Sequence, residues 1–169
     1  TSYSTATLVA VTAGETTGGI DASLAAAAHI TGTVTADDTG LPLQDVCVWA
    51  YADDYSLGGS GRTGQDGTYD IGGLGAGEYR VEFYDCTGTE DYVREFFDDA
   101  TSYGAATLVT VAAAGTAADV DAGLATAGHL SGTVTADDTG LPLDDVCVYA
   151  WDRDGGSGGS TKTRADGTY

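Results

Sequence analysis

At an offset of 100 residues this chain repeats itself, and no other property of the sequence restricts its fold as strongly. The run His29-Ile30-Thr31-Gly32-Thr33-Val34-Thr35-Ala36-Asp37-Asp38-Thr39-Gly40-Leu41-Pro42-Leu43 returns as His129-Leu130-Ser131-Gly132-Thr133-Val134-Thr135-Ala136-Asp137-Asp138-Thr139-Gly140-Leu141-Pro142-Leu143. Laying residues 1–69 over 101–169 needs no gap and gives 42 identities. A module copied in tandem is a building unit, because an enzyme seldom gains from a second identical active site in line with the first. The repeat therefore argues for architecture before chemistry.

Counted from His29, residues 29–128 make one complete period, residues 1–28 match the tail of a preceding one, and residues 129–169 match the head of the next. That head has no counterpart of Asp70 to Ala100, which holds two or three strands' worth of sequence, so it cannot close a core alone. Two assemblies follow. The favoured one is a segment of a longer repeat array, since ragged ends usually reflect cutting. In the other, the incomplete ends of neighbouring molecules complete one another by strand addition. Either way the unpaired backbone of the last 40 residues has to be covered.

Short runs rich in Val, Thr, Tyr and Ile, separated by Gly and Asp turns, predict strands at Ile30–Ala36, Asp45–Ala52, Thr68–Ile71, Glu78–Tyr84, Ala106–Val111 and Ala118–Leu124. Ala22–His29 is read as strand plus a short connector. Val46, Val48 and Ala50 share one side of their strand, and Tyr79, Val81 and Phe83 share one side of theirs, the period-2 pattern of a sheet with one buried face. Six or seven strands in about 100 residues predict an all-β, antiparallel, Ig-like β-sandwich in tandem repeats of period 100.

The series Gly32-Thr33-Val34-Thr35, Thr39-Gly40-Leu41-Pro42-Leu43, Val46-Cys47-Val48, Asp66-Gly67-Thr68-Tyr69 and Leu74-Gly75-Ala76-Gly77-Glu78-Tyr79-Arg80-Val81 resembles the carboxypeptidase regulatory-like domain. That family is a prealbumin-like β-sandwich related to the Cna B-type repeats of Gram-positive surface adhesins. The resemblance covers about residues 30–84, and its head motifs recur over 130–169. It implies a non-enzymatic accessory or stalk module of secreted and surface proteins. Many adhesin relatives carry a Lys–Asn isopeptide crosslink. This chain has no Asn, and its one lysine, Lys162, lies outside the complete period, which excludes that crosslink there.

Cysteine offers another staple. Cys47 falls in the second strand and Cys86 just after the Glu78–Tyr84 strand, while Cys147 repeats Cys47 without a partner in the sequence. A Cys47–Cys86 disulfide is the favoured reading, with two reduced core thiols as the alternative. By parity both sulfurs lie on the outward face. The disulfide implies an oxidising, extracellular or cell-surface location.

With 26 acidic residues against 6 basic ones the formal charge is −20, which repels nucleic acid and anionic membranes and suits a solvated outer face. No apolar run reaches the roughly 18 residues needed to cross a bilayer, so membrane insertion of this segment is not expected. The expected partners are copies of itself or neighbouring repeats.

Candidate chemistry is thin. No cofactor is expected. Asp37-Asp38, Asp53-Asp54, Asp98-Asp99 and Asp152-Arg153-Asp154-Gly155 offer oxygen ligands to calcium, but their spacing completes no calcium loop. His29 and His129 fall where one module passes to the next and are read as inter-module junction residues, with metal or pH sensing as the lesser reading. Trp49-Ala50-Tyr51 becomes Tyr149-Ala150-Trp151, which keeps aromatic area while exchanging identities; packing explains that better than stacking on one sugar. No nucleophile–histidine–carboxylate grouping appears. The sequence thus reads as a structural repeat of a surface stalk, fibre or filament. A ligand- or carbohydrate-binding adhesin repeat, or an accessory domain of a secreted hydrolase, is the alternative.

Overall fold

The structure is a computed structural model describing residues 6–89, 91–151 and 158–169. The chain divides into two units, Thr1–Ala125 and Thr126–Tyr169. Among the described residues no helix is long and apolar enough to cross a membrane.

In the first unit the strands run in the order β1 (Ala28–Ala36), β2 (Val46–Ala52), β3 (Leu57–Arg62), β4 (Thr68–Leu74), β5 (Gly77–Asp85), β6 (Glu95–Phe96), β7 (Val109–Val111), β8 (Thr116–Ala117) and β9 (Ala122–Leu124), with one 3-10 turn at Tyr103–Ala105. One sheet holds β4 beside β1, with β8 and β9 on the other edge of β1; the second runs β3-β2-β5-β6, with β7 also on β5. Ile30, Val34, Ile71 and Leu124 from the first sheet and Val48, Val81, Phe83 and Val111 from the second are withdrawn from water in one cluster. Burying side chains of this size stabilises by about 1.5–3 kcal/mol each. The parity read from the sequence holds: Val46, Val48, Ala50, Tyr79, Val81 and Phe83 all belong to that core.

The sheets are not antiparallel throughout. β8 and β9 run parallel to β1, pairing His29 with Thr116, Ile30 with Ala117, and Val34, Thr35 and Ala36 with Ala122, Gly123 and Leu124. Hairpins force antiparallel neighbours, but these strands arrive differently. β7 is antiparallel to β5 in the opposite sheet, and the chain then crosses over to join β1. The predicted Ala118–Leu124 strand is broken because Asp119 adopts a left-handed φ of 60°, and only Val109–Val111 of the predicted Ala106–Val111 run is strand. Of Ala22–His29, only Ala28 and His29 enter a strand. The counterpart Ala122–Leu124 is extended and paired because β1 lies beside it.

Two strands escape a sequence reading. β6 is two residues long, and β3 reads Leu-Gly-Gly-Ser-Gly-Arg, a composition that suggests loop. Its glycines are there for closeness. A Cβ on Gly59 would stand 2.7 Å from the Ile71 Cγ2 of β4, so only glycine lets this edge of one sheet settle onto the other.

The second unit reproduces the local frame of the first. β10 (Cys147–Tyr149) and β11 (Ser160–Lys162) pair antiparallel. The Val134 N–H donates to the Gly167 carbonyl at 2.9 Å, as Val34 does to Gly67 at 2.9 Å. The Val146 N–H donates to Thr163 Oγ1 at 2.9 Å, as Val46 does to Thr63 at 2.9 Å. Lys162 pairs with Asp145 at 2.6 Å where Arg62 faces Asp45 at 3.8 Å.

Candidate functional site

The outward face of β2 and β5 gathers most of the features singled out in the sequence. Alternation along β2 puts Cys47, Trp49 and Tyr51 on this side once Val46, Val48 and Ala50 enter the core. Cys47 is bonded to Cys86, with Cα atoms 5.7 Å apart. The staple lies on the outer face as parity requires, yet Cys47 is buried and Cys86 half-buried. Cys147 is a free, exposed thiol.

Beyond the staple the face is aromatic. Trp49 packs edge-on against Tyr51 (6.0 Å between centroids) and Tyr84 (5.4 Å). Tyr103, brought over by the 3-10 turn, stacks on Tyr55 at 3.9 Å, meets Tyr51 and Phe96 edge-on, and donates its hydroxyl to the Ala52 carbonyl at 2.7 Å. Cations fill the gaps between rings. The Arg80 guanidinium lies 4.7 Å from the Tyr103 centroid and pairs with Asp53 at 2.6 Å; Arg94 lies 5.7 Å from the Tyr84 centroid and 3.3 Å from the buried Glu82 carboxylate. Burial, and then the Glu82 carboxylate, push the Tyr51 phenol up to about 12. The rings are thus spent on one another and on the arginines, an arrangement that fixes loops to the sheet. In the second unit Tyr149 and Trp151 stack at 6.3 Å and are both exposed.

The aspartates divide into turn-makers and a shallow acidic hollow. Asp54, Asp66, Asp85 and Asp166 each accept both the N–H and the hydroxyl of the Ser or Thr two residues on, with distances from 2.5 to 3.1 Å. Those bonds hold the carboxyls of Asp54, Asp66 and Asp166 below their usual range. For Asp85, burial opposes ionisation, but bonds from Thr87, Asp91 and Thr89 outweigh it. The hollow, about 490 Å³, has Asp98, Asp99, Asp119 and Asp121 in its wall. Two of these are already engaged: Asp121 accepts the Thr33 N–H at 2.7 Å, and Asp98 the Thr107 hydroxyl at 2.7 Å. Burial, then Asp99 and Asp37, push the nearby Glu95 carboxyl up to about 7.

Of the candidate calcium ligands, Asp53 is committed to Arg80, Asp54 to Ser56 and Asp98 to Thr107. No group of three or more His, Cys, Asp or Glu among the described residues is arranged to hold a metal. Asp152-Arg153-Asp154-Gly155 lies outside the described residues. His29 Nδ1 stands 2.7 Å from Asp70 Oδ1, clamping β1 to β4, with its ring over Gly72. His129 lies in the second unit. Sequence reasoning missed Arg80, Tyr103 and the Asp85 turn. The Asp-x-Ser/Thr spacing, present at 54, 66, 85 and 166, was a usable signal for the turns; nothing local in the sequence announces that Tyr103 reaches β2.

One more segment matters. Residues 6–27 form no strand and are exposed, although Val9, Val11, Ile20 and Leu24 repeat the buried Val109, Val111, Val120 and Leu124.

Fold and face define an all-β module stapled by one disulfide, with its aromatic outer surface packed internally. No protein-family model and no curated protein matches the chain. Among solved structures it is similar to the Bacillus anthracis TIE protein (14% identity, TM-score 0.45, covering 85% of this chain and 26% of that one). It is also similar to a streptococcal ancillary pilin (12%, 0.42, 85% and 49%) and a minor pilin of Streptococcus agalactiae (16%, 0.40, 62% and 46%). The chain spans between about a quarter and a half of the length of these proteins.

Proposed function

We propose that this chain is a non-enzymatic structural module of an extracellular stalk, fibre or filament, built on a prealbumin-like sandwich of the carboxypeptidase regulatory-like kind. Residues 29–128 are its complete repeat, with His29 and His129 marking the junctions, and its partners are further copies of the same module. The observation that carries the reading is the exposed segment 6–27, whose apolar residues repeat those buried in the strands of the complete module. Such residues belong against a sheet, and a neighbouring module is where an identical sheet is found. The disulfide supports an oxidising location, because such bonds persist outside the cytosol. The acidic surface supports solubility and mutual repulsion of neighbouring fibres.

Electron microscopy of the native material, paired with the intact mass of its denatured, unreduced chains, tests this reading. Filaments built from small chains, or one very long chain seen as a string of beads, support it and separate subunit polymer from tandem stalk. Isolated monomers in native material would overturn it.

A further inference from the structure

We propose that residues 16–24 of one copy of this chain pair in parallel with Leu130–Ala136 of a second copy, in the register that β8 and β9 adopt on β1. The inference rests on the structural-polymer reading above and gives it a defined contact. Donor and acceptor are each the repeat of a partner seen in the complete module. Val120 is 3% exposed and Leu124 0%, whereas Ile20 and Leu24 are 63% and 90% exposed; Ile30 is 0% exposed and Leu130 76%.

Backbone groups agree with side chains. Along residues 130–136 the even-numbered groups are used: Gly132 bonds to Tyr169, Val134 to Gly167, and Ala136 to Leu141. The odd-numbered edge is the one β8 and β9 occupy on β1. There Val120 donates to the Thr31 carbonyl at 3.1 Å and Asp37 to the Leu124 carbonyl at 3.0 Å. Asp137, which repeats Asp37, and Thr133, which repeats the Thr33 N–H that Asp121 caps, make no backbone hydrogen bond through their N–H among the described residues.

Three identities keep the fit specific. Asp121 caps the Thr33 N–H, and Asp21 and Thr133 repeat that pair. A Cβ on Gly32 would stand 2.1 Å from the Val120 carbonyl oxygen; one on Gly132 would stand 2.7 Å from the Tyr169 hydroxyl, so glycine at 132 is what lets the Ile20 carbonyl reach that hydroxyl once the ring swings to the position Tyr69 holds. Tyr69 donates to the Val120 carbonyl at 2.6 Å, and Tyr169 repeats it. The resulting register sets Ala22, Ser23 and Leu24 opposite Val134, Thr135 and Ala136, as Ala122, Gly123 and Leu124 stand opposite Val34, Thr35 and Ala36. The contact pairs one edge of the segment that repeats β1, whose other edge already bonds Tyr169 through Gly132.

The test is oxidative crosslinking of the full chain carrying Ser23→Cys and Thr135→Cys in a Cys147→Ser background, read on a non-reducing gel. A ladder of covalent oligomers is expected. It should vanish when Leu24→Asp is added, with the unfolding midpoint of the first unit unchanged because Leu24 lies outside its core, and it should be absent when Ala25→Cys replaces Ser23→Cys. A crosslink confined within one chain, or a ladder indifferent to register, overturns the inference. If no ladder forms yet light scattering still finds oligomers, this contact is wrong and the polymer reading stands; if the chain is also monomeric at every concentration and native material shows neither filaments nor beaded chains, both fail.

Discussion

The Tyr69 hydroxyl donates to the Val120 carbonyl at 2.6 Å, joining β4 to the segment between β8 and β9 across the width of one sheet. Burial, then Asp121, raise the phenol's pKa, so the donor keeps its proton over the accessible pH range. Tyr69→Phe leaves a buried carbonyl without that partner and should cost about 1–3 kcal/mol. Urea unfolding measures this, and an unchanged midpoint would remove the bond from any role in seating the last strands.

The Cys47–Cys86 bond closes a loop with a sequence separation of 39. In the chain-entropy account such a loop is worth about 4 kcal/mol, a large share of the stability of a small sandwich. Unfolding with and without reductant should differ by about that amount. A thiol assay on denatured, unreduced protein should find one reactive thiol, Cys147. Three thiols would sink the staple.

Gly67 and Gly40 separate two reasons for glycine. Both have positive φ, 75° and 67°, but a Cβ on Gly67 would stand 2.6 Å from the Val34 carbonyl oxygen while nothing lies within 4 Å of one on Gly40. Gly40→Ala should cost about 1 kcal/mol from backbone strain alone. Gly67→Ala should cost clearly more, because it also disturbs the Val34–Gly67 bond. Equal midpoints for the two variants would contradict this.

Glu95 sets a pH dependence. Its folded pKa of about 7 lies above the ordinary 4.5, so the folded state binds more protons between those values. Its stabilising contribution is therefore complete below pH 4.5 and is lost as pH rises through about 7. Glu95→Gln should raise the melting temperature at pH 8 relative to the parent and flatten the profile between pH 4.5 and 7. An unchanged slope would mean that the carboxyl is solvated in the folded state.

Much of the fold was legible because alternation is local. Val46, Val48 and Ala50 announce their side of β2 within five residues, and the same parity placed Cys47 outward. β3 was not legible, because its glycines carry no pattern and acquire meaning only when Ile71 lies 2.7 Å from where a side chain would begin. The parallel pairing of β8 and β9 was hidden likewise: strand direction depends on which sheet the preceding strand joined. Arg80 and Tyr103, 23 positions apart, meet only across the outer face.

By itself the sequence determined the self-similarity at an offset of 100, the β character and the inward parity, since each follows from residue type and spacing along one strand or one copy, and it favoured Cys47 and Cys86 as a pair that the tertiary structure then joined. Tertiary structure alone decided which strands run parallel, which aspartates make turns and which line the hollow, and that the aromatic face is packed against its own arginines. It also decided that one set of apolar residues is buried at 120–124 and exposed at 20–24. Burial is a property of a neighbour, and those two stretches differ in having β1 beside them.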